Sequence, residues 1–340
     1  MNSMEKDTRL IGREALAKLF AQWLGEGRRI LAPRRNGDKV DFAEVETPGE
    51  VNLDPVQTGQ SPKGALFPRV EELFSFPSRD GRVELRERDL AALKPTVVFG
   101  LRPCDAAALA ALAAIFNWDS ADALFSARLA ALTTVGVACN RCDEYCFCTS
   151  LGGGPGATTG SDILLTDMGG GEYLAEVISE KGRQAIQGAG TLFQPALGKD
   201  KESRLARVEK AFDLDKVKPA LEALFDDEAF WVEQSLRCLG CGACAYVCPT
   251  CACFDIQDEN GRRLRCWDSC GFGLFTLHTS GHNPRPLQSQ RWRQRLMHKF
   301  AYMPERQSVL GCVGCGRCSR ACPVDMNILE HLRAVAEAKP

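Results

Sequence analysis

Hydrophobic and polar positions follow two periods along this chain, and each change of period marks an element. Leu16, Leu19, Phe20, Trp23 and Leu24 fall at i, i+3, i+4, i+7 and i+8 within residues 11–25. That is one face of a helix, stopped by Gly25 and Gly27. Arg29-Ile-Leu-Ala-Pro and Val40-Asp-Phe-Ala-Glu-Val read as short strands of an antiparallel unit, the second with clear alternation. Pro48 to Pro68 has turn residues without period and predicts a surface loop. Val83-Glu-Leu-Arg-Glu predicts a further alternating strand.

A continuous apolar run, Pro95-Thr-Val-Val-Phe-Gly, has the character of a parallel strand buried on both faces. An alanine- and leucine-rich helix from Ala106 to Phe116 follows, with Asp105 placed as its cap. A second apolar strand, Leu132-Thr-Thr-Val-Gly-Val, then ends at Ala138-Cys139. Strand, helix, strand implies a right-handed crossover between parallel neighbours. Cys104 and Cys139 therefore share the carboxyl rim of a sheet, where open α/β folds place ligands. Ile163-Leu-Leu-Thr and Glu172-Tyr-Leu-Ala-Glu-Val close this unit, and 180–199 runs through a Gly- and Ala-rich stretch. From Lys201 to Leu236 helical spacing returns through Leu205, Val208, Phe212, Val217, Leu221, Leu224, Phe225 and Trp231. Phe254-Asp-Ile-Gln and Arg262-Arg-Leu-Arg-Cys266-Trp then flank Asn260-Gly261, the signature of a tight hairpin.

Composition narrows the function. An apolar fraction of 45% over 340 residues supports ordinary cores, and length suggests two domains. A net charge of −2 gives no reason to expect nucleic acid. No apolar run is long enough to span a membrane. The stretch Met1 to Asp7 lacks a signal pattern, so a cytoplasmic location is expected. The 17 cysteines change the picture most. Their spacings are those of metal ligands, which fits a reducing compartment better than a disulfide framework.

Cys238-Leu-Gly-Cys241-Gly-Ala-Cys244-Ala-Tyr-Val-Cys248-Pro and Cys312-Val-Gly-Cys315-Gly-Arg-Cys318-Ser-Arg-Ala-Cys322-Pro both read C-x-x-C-x-x-C-x-x-x-C-P. This run supplies three thiolates to one 4Fe–4S cubane, while its fourth cysteine serves the other cluster. The expected sets are Cys238, Cys241, Cys244 and Cys322 for one cluster, and Cys312, Cys315, Cys318 and Cys248 for the other. The glycines between them let backbone N–H groups approach the sulfurs. The fold expected is α+β: a mixed α/β domain over 1–200, then a mainly helical ferredoxin-type dicluster domain over 201–340 with a β-hairpin insert.

Cys139-Asn-Arg-Cys142-Asp-Glu-Tyr-Cys146-Phe-Cys148 brings more thiols to the rim beside Cys104. Three readings stand: packing thiols, a zinc site, or a third iron–sulfur cluster. The third is expected, on Cys104, Cys139, Cys146 and Cys148, although spacing alone does not choose between Cys142 and Cys146. Cys251, Cys253, Cys266 and Cys270 could hold a further metal, but they lack a tripod spacing and are expected to pack beside the clusters and tune them. Arg285, Arg291, Arg293, Arg295, His298 and Lys299 precede the second run. They read equally as cations that raise a cluster's potential or as a solvated helix face. Gly152-Gly-Gly-Pro-Gly lacks the Lys-Ser/Thr of a phosphate loop and opens no helix. No flavin or nicotinamide is therefore expected on this chain itself, and the four histidines form no hydrolytic metal motif.

Ser61-Pro-Lys-Gly-Ala-Leu-Phe-Pro, Gly100-Leu-Arg-Pro-Cys104-Asp, Cys146-Phe-Cys148-Thr-Ser, Cys248-Pro-Thr-Cys-Ala-Cys-Phe-Asp, Trp267-Asp-Ser-Cys, Gly281-His-Asn-Pro-Arg and Gly314-Cys-Gly-Arg-Cys follow one another in order. From about residue 60 onward the chain resembles the 4Fe–4S dicluster electron-transfer family. That family includes the beta subunit of cytosolic sulfhydrogenase-type nickel–iron hydrogenases and the corresponding subunit of anaerobic sulfite reductase. Cys142 is an extra thiol against that pattern. The resemblance implies an electron-transfer subunit beside a flavin-binding, NAD(P)H-oxidising partner with a 2Fe–2S cluster. At the other end it implies a terminal enzyme of hydrogenase, sulfite reductase or heterodisulfide reductase type. The alternative is a redox enzyme subunit whose amino-terminal cluster itself binds substrate.

Overall fold

The structure, a computed structural model, describes residues 7–79, 82–196 and 198–338; most of the amino-terminal stretch read for targeting lies outside them. An eight-stranded sheet organises the first half. Edge to edge its order is Gln194–Pro195, Asp7–Gly12, Glu172–Val177, Ile163–Gly169, Leu132–Val137, Thr96–Leu101, Arg29–Asn36, Lys39–Glu44. The four strands from Ile163–Gly169 to Arg29–Asn36 run parallel, and the flanking ones are antiparallel.

Thr96–Leu101 and Leu132–Val137 are buried along their whole length, as their unbroken apolar runs require. One sheet face carries the helix Arg13–Gly25, which sets Leu16, Leu19, Phe20 and Trp23 against Val97, Phe99, Val135 and Val137. The other carries Pro103–Phe116 and Ala123–Ala131, with Leu112, Phe116 and Phe125 over Val98, Leu101 and Leu132. The crossover thus contains two helices rather than one. Arg29–Asn36 does form the expected antiparallel pair with Lys39–Glu44, and it also joins the parallel sheet through its other edge.

Three local expectations change. The rim helix starts at Pro103, so Cys104 lies inside its first turn and Arg102 holds the cap position. Asp105 still accepts the Arg102 N–H, at 3.3 Å, but from the third helical position. The strand read at 83–87 is split into Arg82–Val83 and Arg86–Glu87, which pair with different partners. The hairpin Phe254–Glu259/Arg262–Trp267 forms with its turn at Asn260-Gly261, both in the left-handed region. It does not stand alone. Arg262–Trp267 pairs with Val70–Ser75, and Trp267 enters the core of Leu66, Phe67, Leu101 and Leu112.

The second half is mainly helical. Leu214–Ala223, Glu228–Ser235, Gln288–Met297 and Ile328–Glu337 enclose Val217, Leu221, Trp231, Leu296, Phe300, Leu332 and Val335. After Gln288–Met297 the chain passes through a π turn, His298–Tyr302, into Met303–Gln307. Short helices Ala243–Tyr246 and Arg317–Arg320, each carrying the third cysteine of its tripod, lie against each other. No helix among the described residues is long and apolar enough to cross a membrane.

Candidate metal centres

Cys238, Cys241, Cys244 and Cys322 line one cavity. Cys248, Cys312, Cys315 and Cys318 line a second, whose wall also carries Phe147, Val313, Ile328, Thr250 and Lys299. Each cavity thus takes three cysteines from one run and the proline-adjacent cysteine from the other. Cys318 lines both, so the two spaces share a wall.

The donor chemistry fits iron–sulfur clusters. Among the described residues no three His, Cys, Asp or Glu side chains converge as around one ion. A zinc ion draws its thiolates to about 2.3 Å from one point, whereas thiols standing around a cavity match a group with several irons. Backbone N–H groups serve the sulfurs: Gly314 bonds to Cys312, Arg317 to Cys315, and Met326 to Cys322 at 3.2 Å. Burial pushes Cys244 and Cys318 up to about 12 and Cys312 up to about 11. Bare thiols there hold their protons, and a bound metal supplies the positive charge that burial withholds. Cys248 is the exception, held well below the ordinary thiol value by a hydrogen bond from Cys251, with Lys299 and Arg295 assisting against burial.

The second tripod packs directly against the backbone of the loop that carries Cys146 and Cys148. Gly314 and Gly316 have φ of 65° and 70°, and a Cβ at Gly314 would stand 2.5 Å from the Cys148 nitrogen. One at Gly316 would strike Tyr145 at 2.6 Å. Their glycines therefore admit the Cys146-Phe-Cys148 loop as well as freeing N–H groups, and Phe147 N–H bonds the Gly314 carbonyl at 3.0 Å. Beyond this contact Cys139 feels Cys146 and Cys148, Cys148 feels Cys146 and Cys142, and Cys104 feels both Cys139 and Cys315. Burial lifts Cys139 to about 12 and Cys148 to about 11. Gln57 Nε2 donates to Cys104 Sγ at 2.9 Å, and Arg320 Nη2 to Cys146 Sγ at 3.4 Å. The thiol of Cys142 donates to the Arg207 carbonyl at 3.1 Å.

The basic stretch before the second run divides by face. Gln288 donates to Cys238 Sγ at 3.1 Å, Arg295 to the Cys244 carbonyl at 2.9 Å, and Lys299 to Cys248 Sγ at 3.4 Å. Arg293 points away, stacked 4.1 Å over Phe225. Arg295, Lys299 and Lys63 are buried, and thiols rather than carboxylates are the anions acting most on them. Lys63, in the Ser61-Pro-Lys-Gly segment, donates to the carbonyls of Ala245 and Cys251 and lies 4.0 Å over Trp267. Gln57, Gln288 and Lys63 are site residues that spacing rules miss, because a single polar residue carries no period. For Lys63 the one cue was its place in the Ser61-Pro-Lys-Gly-Ala-Leu-Phe-Pro motif.

Of the remaining cysteines, Cys251 touches Cys248, while Cys253 and Cys270 hydrogen-bond each other. That bond holds Cys270 down at about 6, against burial and with help from Arg295 and Lys299. Cys266 sits on the hairpin opposite Asp255. The sheet rim carries a separate cavity of about 640 Å³. Phe20, Phe99 and Val137 form its apolar wall, and Arg102, Arg141 and Tyr173 its polar one.

A family model described as a 4Fe–4S dicluster domain matches residues 237–326. The sulfhydrogenase 2 subunit beta of Pyrococcus furiosus is 30% identical over 335 residues, which cover 94% of this chain and 95% of that protein. This chain belongs to that dicluster family. No solved structure matches it. The dicluster domain accounts for two 4Fe–4S clusters, and membership makes the chain an electron-transfer component of a multisubunit redox complex.

Proposed function

We propose that this dicluster subunit relays electrons between a flavin-binding, NAD(P)H-oxidising partner that carries a 2Fe–2S cluster and a terminal redox subunit. That terminal subunit is of hydrogenase, sulfite reductase or heterodisulfide reductase type, and the complex is cytoplasmic. Cys238, Cys241, Cys244 and Cys322 hold the first cluster, and Cys312, Cys315, Cys318 and Cys248 the second. Cys104, Cys139, Cys146 and Cys148 hold a third, with no flavin or nicotinamide on this chain. The boundary near residue 200 separates the rim domain from the helical one. When bound, each 4Fe–4S cluster takes up or gives one electron.

The supporting observation is continuity: Cys318 is common to the walls of the first two cavities, and the second tripod is packed against the Cys148 loop. The buried Lys299 and Arg295 balance charge along the path by offsetting thiolates inside it. A second reading makes the amino-terminal site catalytic. It is favoured by the rim cavity, whose wall includes Ala138 and Asn140, both chain neighbours of Cys139.

Anaerobically purified protein is expected to be brown, with about 12 irons per chain, or about 8 if the rim thiols hold none. NADH or NADPH added to the isolated subunit should leave the visible absorbance unchanged, and native purification should recover the flavin partner. Stoichiometric zinc without visible absorption would overturn the relay. Bleaching by NADH without a partner would overturn the claim that the chain has no nucleotide or flavin site.

A further inference from the structure

Cys253 and Cys270 belong to none of the three ligand sets, and their thiols are in contact. Of the proposed ligands, Cys244, Cys312, Cys315 and Cys318 act on neighbouring sulfurs through space, while Cys248 touches the thiol of Cys251. The backbone explains the contact. Cys253 immediately precedes the hairpin and Cys270 follows it by three residues. The neck between them is closed by the Phe254–Trp267 pair and by Asp268 N–H bonding the Cys253 carbonyl at 3.0 Å.

Both thiols face a cavity of about 420 Å³ whose wall carries Arg285, Arg295, Lys299 and Arg306 and no carboxylate. Arg295 is buried, and its Nε has no hydrogen-bond partner. A concave wall with cations of one sign concentrates anions, and an unpaired buried donor calls for an acceptor. Cys270 also lines the first cluster cavity, so the pair stands between that site and the basic one.

We propose that Cys253 and Cys270 form a dithiol–disulfide couple that exchanges with a small anionic disulfide bound in this cavity. The couple depends on the proposed ligand sets only in that they leave both thiols free. The Cys270 sulfur attacks one sulfur of the bound disulfide, whose S–S bond breaks and releases one thiolate, leaving a mixed disulfide on Cys270. The Cys253 sulfur then attacks Cys270, and the second thiolate leaves. The two protons of the cysteine thiols pass to the two leaving thiolates, and two electrons pass from the cysteine pair to the substrate. The reverse exchange with a dithiol returns two electrons and two protons to the pair. Arg285 and Arg306 hold the anionic groups, and Arg295 faces the departing thiolate.

The test uses full-length, anaerobically purified protein and oxidised glutathione as the anionic disulfide. Acid quenching, alkylation and peptide mass analysis should recover Cys253 and Cys270 cross-linked and unalkylated, and dithiothreitol should restore both to alkylation. Cystamine, a cationic disulfide, should form the cross-link about tenfold more slowly. Full alkylation of both cysteines after oxidised glutathione, or equal rates with cystamine, would overturn the proposal. Iron content separates the two readings. Cys253→Ser and Cys270→Ser should keep wild-type iron; a loss of about four irons in either would make the substituted cysteine a ligand and defeat this proposal while leaving the relay intact. Cross-linking in a wild-type protein that holds no iron would defeat the relay and leave the couple standing.

Discussion

His331 is a buried base. Its Nδ1 lies 2.6 Å from Gln234 Oε1, its ring meets Trp292 edge-on at 4.8 Å, and its Nε2 is buried without a partner. Protonation would place a charge on Nε2 with no acceptor, so burial, and then Arg237, hold its pKa down at about 4. The unfolded chain has the ordinary value near 6.5. Between these values the unfolded state binds the additional proton, so the contribution to stability is complete above about pH 6.5 and is lost as pH falls towards 4. The difference corresponds to roughly 3 kcal/mol. Denaturant unfolding of the wild type should show that loss across pH 6.5 to 4 together with the share of His298, whose pKa desolvation also holds down at about 4, and His331→Gln should reduce the slope without abolishing it. An unchanged slope in the variant would place the acid sensitivity elsewhere. A lone histidine carries no pattern in the sequence, so where it comes to rest is decided by tertiary packing.

At the scale of elements, Gln288–Met297 and the π turn after it form a polar stripe along the two cluster cavities. Residues 288, 295 and 299 recur at helical spacing and reach Cys238, Cys244 and Cys248 in turn. The density of Arg and Lys before the second run was visible in the sequence. Which of them turn inward was not, because the chain gives no phase for a helix polar on several sides, and a π turn inserts a residue that no apolar period announces. Lys299 also donates to the Gly311 carbonyl at 2.6 Å and to Thr250 at 3.2 Å. Its ammonium favours the more negative, reduced state of the adjoining site. Lys299→Met should therefore lower the potential of the cluster proposed at Cys248, Cys312, Cys315 and Cys318 by on the order of 60 mV, a tenfold change in a one-electron equilibrium. A potentiometric titration followed by electron paramagnetic resonance reads this directly. A shift confined to the other cluster would show that the lysine acts on a different site than its hydrogen bond implies.

For the molecule as a whole, local pattern foretold the parts better than their joints. Apolar runs at 96–101 and 132–137 gave the parallel strands and hence the rim, and cysteine spacing gave the two tripods. The pairing of Val70–Ser75 with Arg262–Trp267 joins segments almost two hundred residues apart, and short alternating strands do not specify their partners. The clearest joint is ionic. Arg317, on the short helix inside the second tripod, bonds Asp105 Oδ2 at 2.8 Å and the Thr58 carbonyl at 3.0 Å. Its side chain is 2% exposed and that of Asp105 1%. Asp105 neighbours Cys104, so this pair fixes the rim thiols to the second tripod. Removing one partner leaves a buried charge uncompensated, so Arg317→Ala should cost about 3–5 kcal/mol in denaturant unfolding. Adding Asp105→Asn should recover part of that loss, since the second substitution removes the orphaned charge. A single-variant cost below about 1 kcal/mol, the range of exposed pairs, would show that solvent reaches the junction and that the rim thiols are not held to the tripod by this contact.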